Sequence, residues 1–144
     1  MTRFAVTLQR VIRAPRARVY RAFLDPELVA QWLAPGGSVV STATVDERVG
    51  GVHRVEMLAE DGSAHVFDSV IQELVEDERI VLLFKFHWDA EETLLTVTFR
   101  DVEGGTEVQL DHQRVPFSGP LNERSVDAGW NSALDKLEGV AHAL

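Results

Sequence analysis

A chain of 144 residues, 45% hydrophobic and 26% charged, has the size and make-up of one ordinary globular domain, able to bury a core without metal or disulfide support. It contains no cysteine, which excludes disulfide scaffolds, thiolate zinc sites and cysteine nucleophiles. Its net charge of −9, from 23 acidic against 14 basic residues, opposes a phosphate-tracking surface, so nucleic acid is not an expected partner.

Phe4, Val6, Leu8 and Ile12 alternate as a strand does. Pro15 suits the first turn of a helix, where its missing N–H costs nothing, and Val19, Tyr20, Phe23 and Leu24 follow at helical spacing. Asp25-Pro26-Glu27 ends that helix and caps another, whose apolar face is Leu28, Val29, Trp32 and Leu33, and Pro35-Gly36-Gly37 stops it. From Ser38 to Val115 the signals are β. Val39 to Val45 is short and β-branched. Gly50-Gly51 opens a strand to about Ala59, and Asp61-Gly62 is a hairpin turn into Ala64 to Val75. Glu76-Asp77-Glu78 turns into Arg79 to Trp88, where Ile80, Leu82, Phe84, Phe86 and Trp88 share a face. Thr93 to Val102 follows, and Gly104-Gly105 turns into Thr106 to Val115. Even spacing with short turns predicts an antiparallel meander. After Pro116, the residues Val126, Trp130, Ala133, Leu134, Leu137, Ala141 and Leu144 step by three and four, predicting an amphipathic helix from about Pro120, on the order of 37 Å long at 1.5 Å per residue. Such a stripe must lie on one face of the sheet, with Trp130 as its expected anchor. The expectation is a single α+β domain over residues 1–144.

Charge is unevenly spread. Arg3, Arg10, Arg13, Arg16, Arg18 and Arg21 all precede the first acid, Asp25. A basic docking patch and an Arg-rich transit peptide compete here with the plain solvated face of a strand and helix. The period-two strand and the Ala14-Pro15 break favour the solvated face. Charges interrupt every early apolar stretch, so no secretory leader is expected, and the cytoplasm is the expected compartment. No apolar run approaches the roughly 20 residues of a membrane span.

The run from Ala14 to Phe23, then Asp25-Pro26-Glu27 and Trp32, resembles the opening of the activator of heat-shock-protein-90 ATPase homologue family, within the START-like (SRPBCC) superfamily. Gly50-Gly51 with alternation through Met57, then Asp61-Gly62, resembles its central hairpin, and Gly129-Trp130 with Leu134 and Leu137 its final helix. The resemblance spans essentially the whole chain in order. It implies a helix-grip fold: a curved antiparallel sheet wrapped around a long C-terminal helix, two short helices after the first strand, and an apolar cavity between sheet and helix. Superfamily relatives include lipid carriers, hormone receptors and polyketide cyclases. The best-known co-chaperone members carry an additional N-terminal domain, whereas this chain starts at the first strand of the helix-grip unit. Two positions depart from the family pattern: the aromatic common two residues after the glycine pair is His53 here, and a glycine usual in the next strand is Ser69.

The chemistry-bearing residues are few. Gly36-Gly37, Gly50-Gly51 and Gly104-Gly105 are isolated pairs without phosphate-loop spacing, and His53, His65, His87, His112 and His142 never fall at metal-ligand spacing. No serine sits in a nucleophile-elbow context. The acidic groups at Glu76, Asp77, Glu78 and at Asp89, Glu91, Glu92 lack the spacing of a calcium loop and read as solvated turns. No metal and no cofactor is expected. Alternation places His53, Val55 and Met57 on one strand face, and Val108, Leu110, His112 and Arg114 on another. Turned inward, the histidines and Arg114 are polar groups in an apolar pocket, the make-up of a small-molecule site. Turned otherwise, His112 is a hydrogen-bonded core histidine and Arg114 a solvated strand end. The candidate ligand-binding set is Trp32, His53, Val55, Met57, Phe67, Phe84, Phe86, Trp88, Phe99, His112, Trp130 and Leu134. Plain core packing is the competing reading for its aromatics.

The first expectation is a non-enzymatic protein holding a small hydrophobic or amphipathic molecule between sheet and terminal helix. The alternatives are a cyclase or aromatase-type enzyme using a pocket histidine, His112 or His53, and a stress-related co-chaperone-like module acting through its surface. A homodimer and a chaperone partner stay open.

Overall fold

The computed structural model describes residues 3–86, 91–119 and 121–143. Strand β1 (Arg3–Ile12) leads into helices α1 (Arg16–Leu24) and α2 (Pro26–Trp32). Six strands follow: β2 (Val39–Val45), β3 (Val52–Leu58), β4 (Ala64–Val75), β5 (Arg79–Phe86), β6 (Thr93–Val102) and β7 (Gly105–Pro116). Helix α3 (Glu123–Ala143) closes the chain.

Local chemistry sets the boundaries. The Asp25 carboxylate accepts from the Glu27 N–H at 2.9 Å with Pro26 in the first turn, so α2 starts where one helix ends. Helix α3 starts at Glu123 rather than at about Pro120. Asn122 Oδ1 accepts from the Ser125 N–H at 2.9 Å, and Ser125 Oγ accepts from the Asn122 N–H at 3.0 Å. This reciprocal cap leaves a helix of 21 residues, about 31 Å long.

The strands form one seven-stranded antiparallel sheet in the order β1-β7-β6-β5-β4-β3-β2, unclosed, with β1 and β2 at its edges. Bulges between Phe4 and Val6, Val40 and Thr42, and Ile71 and Glu73 bend the strands. Helix α3 lies in the resulting concavity, which makes this a helix-grip α+β fold. Gly51 fixes the entry to β3: a Cβ there would lie 2.0 Å from the Asp46 carbonyl oxygen. The Gly50 N–H donates to the Ile71 carbonyl at 2.8 Å and the Ile71 N–H to that of Gly51 at 2.9 Å. This tight connection sets the parity that turns His53 inward.

The inward row on β7 ends at His112, so of the two readings of Arg114 the solvated strand end holds. Arg114 has φ 59°, a left-handed backbone that breaks the alternation after His112. Arg114 is exposed, and Val115 takes the next inward place, fully buried. The early arginines meet acids from far along the chain: Arg3 pairs with Glu91, Arg10 with Asp135 at 2.7 Å, Arg13 with Glu138, Arg16 with Asp101 and Arg21 with Glu47. Several of these pairs lie at the solvated surface, as the plain reading of that charge run expects.

The core divides into two clusters. One joins α1, α2 and the later turns of α3 to the sheet through Ile12, Val19, Phe23, Trp32, Ile71, Leu110, Leu134 and Leu137. The other gathers Phe4, Val6, Phe86, Val115 and Val126, with Phe67, Phe84, Leu121 and Trp130 packed against it. Leu134 and Leu137 are the fully buried anchors of α3; Trp130, the expected anchor, is half-buried. Truncating Leu137 to Ala is therefore expected to cost about 2–5 kcal/mol in chemical denaturation, a large share of a domain's roughly 5–15 kcal/mol. A change under about 1 kcal/mol would mean that the helix does not seat its stripe on this sheet.

Candidate functional site

Where the two clusters meet, the packing leaves a cavity of about 240 Å³. Its sheet wall is His53, Val55 and Met57 of β3, Phe67 and Ser69 of β4, Ile80, Leu82, Phe84 and Phe86 of β5, Leu95 and Val97 of β6, and His112 of β7. Its helix wall is Ser125, Val126, Gly129, Trp130 and Ala133, and Phe23, Leu33, Pro35 and Leu121 complete it. No charged side chain lines it among the described residues. The loop carrying Pro35 is tied to α3: Lys136 Nζ donates to the Ala34 carbonyl at 2.6 Å, and Ser132 Oγ accepts from the Gly36 N–H at 2.6 Å.

Aromatic rings form one continuous wall. Phe67 stacks on Phe84 at 5.6 Å between centroids, and Phe86 stands edge-on to Phe84 at 5.1 Å and stacks on His112 at 5.9 Å. His112 is buried, and both of its nitrogens are engaged. Trp130 Nε1–H donates to Nδ1 at 3.2 Å. Nδ1 is thus an acceptor, so the ring proton sits on Nε2, which donates to Thr93 Oγ1 at 2.8 Å. The Thr93 hydroxyl passes the chain on to the Phe84 carbonyl at 3.1 Å. Burial pulls the His112 pKa down to about 4, and a proton added at Nδ1 would face the indole N–H, donor against donor.

His53 is also buried, and its Nε2–H donates to the Phe23 carbonyl at 2.9 Å. Burial lowers its pKa, outweighing the Phe23 carbonyl and its own backbone carbonyl, both of which favour the charged form. Ser69, directly across the ladder from His53, donates its hydroxyl to the His53 carbonyl at 2.8 Å. His53 and Ser69 thus meet as a cross-strand pair on the cavity wall.

Of the residues the sequence nominated, His53, Val55, Met57, Phe67, Phe84, Phe86, His112 and Trp130 line the cavity. Trp32, Phe99 and Leu134 are buried in the first core cluster instead and do not line it. Trp32 donates its indole N–H to the Ala22 carbonyl at 2.8 Å and meets Phe23 edge-on at 4.7 Å, joining α2 to α1. Phe99 packs edge-on against Tyr20 and Phe23. Trp88 lies outside the described residues. Ser69, singled out in the sequence beside His53, lines it too, whereas sequence reasoning missed Ile80, Leu82, Leu95 and Val97, although period-two parity with Phe84 and Phe99 marks them. It also missed Val126, Gly129 and Ala133, which flank Trp130 on one helix face. Phe23, Leu33, Pro35 and Leu121 arrive through tertiary packing alone.

The neutral imidazoles predict a pH response. An unfolded histidine takes up its proton near pH 6.5, whereas folded His112 resists until about pH 4. Its contribution is complete above pH 6.5 and is lost as the pH falls to about 4, by about 3 kcal/mol. His53 acts in the same direction. Urea denaturation at pH 7 and pH 4.5 is expected to show the decline, and His112→Gln to flatten it. An unchanged slope in that variant would mean that folding does not lower the pKa of His112.

An unclosed antiparallel sheet gripping a C-terminal helix across an apolar, uncharged cavity defines a helix-grip protein of the START-like kind. The model of the family described as Activator of Hsp90 ATPase homolog 1-like protein matches residues 13–142, and the chain belongs to that family. The structure resembles that of a protein from Chromobacterium violaceum, 34% identical over 96% of this chain and 97% of that one, with a TM-score of 0.87. An uncharacterised protein from Rhizobium leguminosarum is 28% identical over 99% and 97%, with a TM-score of 0.83. The AHSA1-like protein from Aeromonas hydrophila, 22% identical over 97% and 93%, shares the fold at a TM-score of 0.81. No curated protein matches the sequence. Family and fold indicate a ligand-binding or co-chaperone-like module, and no helix among the described residues is long and apolar enough to cross a membrane.

Proposed function

We propose that the protein binds a small hydrophobic or amphipathic molecule, without chemical conversion, in the cavity between the sheet and α3. The observation that carries this reading is the cavity itself: about 240 Å³ of space walled mostly by aliphatic and aromatic side chains, with no charged side chain among the described residues. Packed interiors leave few voids, and a 150 Å³ apolar cavity is already enough for benzene. The volume here suits a compact ligand of one or two rings. Apolar surface buried there contributes roughly 25 cal/mol per Å².

The cyclase-type alternative needs a base, and His112 makes a poor one. Both of its nitrogens are committed to Trp130 and Thr93, and its pKa is near 4. The co-chaperone-like alternative needs a surface and no cavity. Trp130 lines the site, so its fluorescence reports occupancy. Titration with toluene is expected to change the emission saturably, and native mass spectrometry of freshly purified protein to show a co-purified small molecule. Ala133→Leu, which fills the cavity from the helix side, is expected to weaken toluene binding at least about tenfold, or 1.4 kcal/mol. No response to toluene in a folded protein would remove the ligand-binding reading and leave surface interaction as the better account.

A further inference from the structure

Helix α3 carries Gly129 in its interior, although glycine is the poorest helix former after proline. Neither of the usual structural reasons for a glycine holds there. Its backbone is helical and outside the left-handed region. A Cβ would meet only Pro35 Cβ, at 3.8 Å, an ordinary contact, whereas at Gly51 it would collide with backbone. What Gly129 leaves is space, in the cavity that it lines together with Pro35.

The far side of that space is held in place. Pro35 sits between two residues bonded to α3: the Ala34 carbonyl accepts from Lys136 Nζ, and the Gly36 N–H donates to Ser132 Oγ. Lys136 Nζ also donates to the Ser38 carbonyl at 3.2 Å. Ser132 and Lys136 lie three and seven residues beyond Gly129, on the same helix face. The loop therefore runs along that face and does not swing away from Gly129 without losing these bonds. Side chains on a helix lean back over the preceding turn, here toward Ser125, another lining residue. A side chain longer than that of Ala at 129 thus reaches into the cavity. Trp130, one residue on and about 100° round the helix, turns instead to His112. The two neighbours bound different sectors of one cavity, Trp130 beside the ring wall and Gly129 beside Pro35.

Resting on the ligand-binding reading, we infer that Gly129 is the specificity-determining position of the site, its missing side chain admitting the second ring of a bicyclic apolar ligand. One ring lies against Phe67, Phe84 and Phe86, and the other between α3 and Pro35. The volume of about 240 Å³ exceeds by more than half the 150 Å³ that already holds benzene.

The test titrates the intact chain with toluene and with naphthalene, followed by the Trp130 indole ¹H–¹⁵N resonance. The unsubstituted protein is expected to bind naphthalene about fivefold tighter, from roughly 40 Å² more buried apolar surface. Gly129→Leu is expected to lower that preference at least tenfold, making toluene the better ligand. Gly129→Ala is expected to lower it about threefold, while its urea midpoint rises because Ala favours the helix. Gly139→Ala is the control, because this second glycine of α3 is exposed, has nothing within 4 Å of a Cβ and does not line the cavity. Its midpoint rises too, and its naphthalene preference stays at the unsubstituted value. If both ligands bind but toluene binds tighter to the unsubstituted protein, or the Gly129 variants keep its preference, the inference is overturned while the ligand-binding reading stands. If neither ligand binds the folded protein, that reading fails and the inference with it. Should Gly129→Leu not fold, the preference of Gly129→Ala decides.

Discussion

The apolar stripe of α3 has to be covered along some 31 Å, and only the concave face of the sheet offers a comparable surface. The rest of the structure follows from how unevenly that contact is made. Over the later turns Leu134, Leu137 and Ala141 are buried outright against the first cluster. Over the earlier turns the helix presents Gly129 and Ala133, which have little or no side chain, beside a half-buried Trp130. The sheet opposite presents phenyl rings packed on one another. Small residues facing a self-packed aromatic wall leave space, and the cavity is that space.

One hydrogen-bonded chain spans the gap. Trp130 from the helix, His112 from β7, Thr93 from β6 and the Phe84 carbonyl from β5 make a directional series in which every proton is accounted for. In an apolar surround, a group left unsatisfied costs about 1–3 kcal/mol, so the chain holds helix and sheet at one separation as well as contributing its own bonds. It also decides what His112 can do. An imidazole that receives at one nitrogen and donates from the other is a strut, and His53 is anchored by its Nε2–H on the Phe23 carbonyl. Two buried histidines on one wall are therefore held by different partners, side chains for His112 and a backbone carbonyl for His53.

Family membership accounts for the fold but not for this distribution of polar groups. The cross-strand pair of His53 and Ser69 puts two polar side chains on a wall that is otherwise aliphatic and aromatic. The particular ligand is the part of the biology on which members sharing one scaffold can differ, because the wall is made of side chains that the sheet tolerates in many combinations.

How much of this was legible in the sequence depends on the range of the physics. Strand alternation, the Asp25-Pro26 cap, the glycine turns and the three-four stepping of α3 are local signals, and they placed nearly every element and the inward parity of His53, Val55, Met57, Phe84, Phe86 and His112. Local signals fail where a neighbour distant in sequence decides. The left-handed backbone at Arg114, whose carbonyl accepts from Arg3, turns that arginine out to solvent, a choice that alternation alone left open. Trp32, Phe99 and Leu134 have the same composition and periodicity as the residues that line the cavity, but α1 and α2 pack over them and fill the space. The state of the two histidines was least legible of all. A hydrogen-bond partner such as Trp130 for His112 or the Phe23 carbonyl for His53 lies 18 or 30 residues away, and only folding brings the donor and the acceptor together.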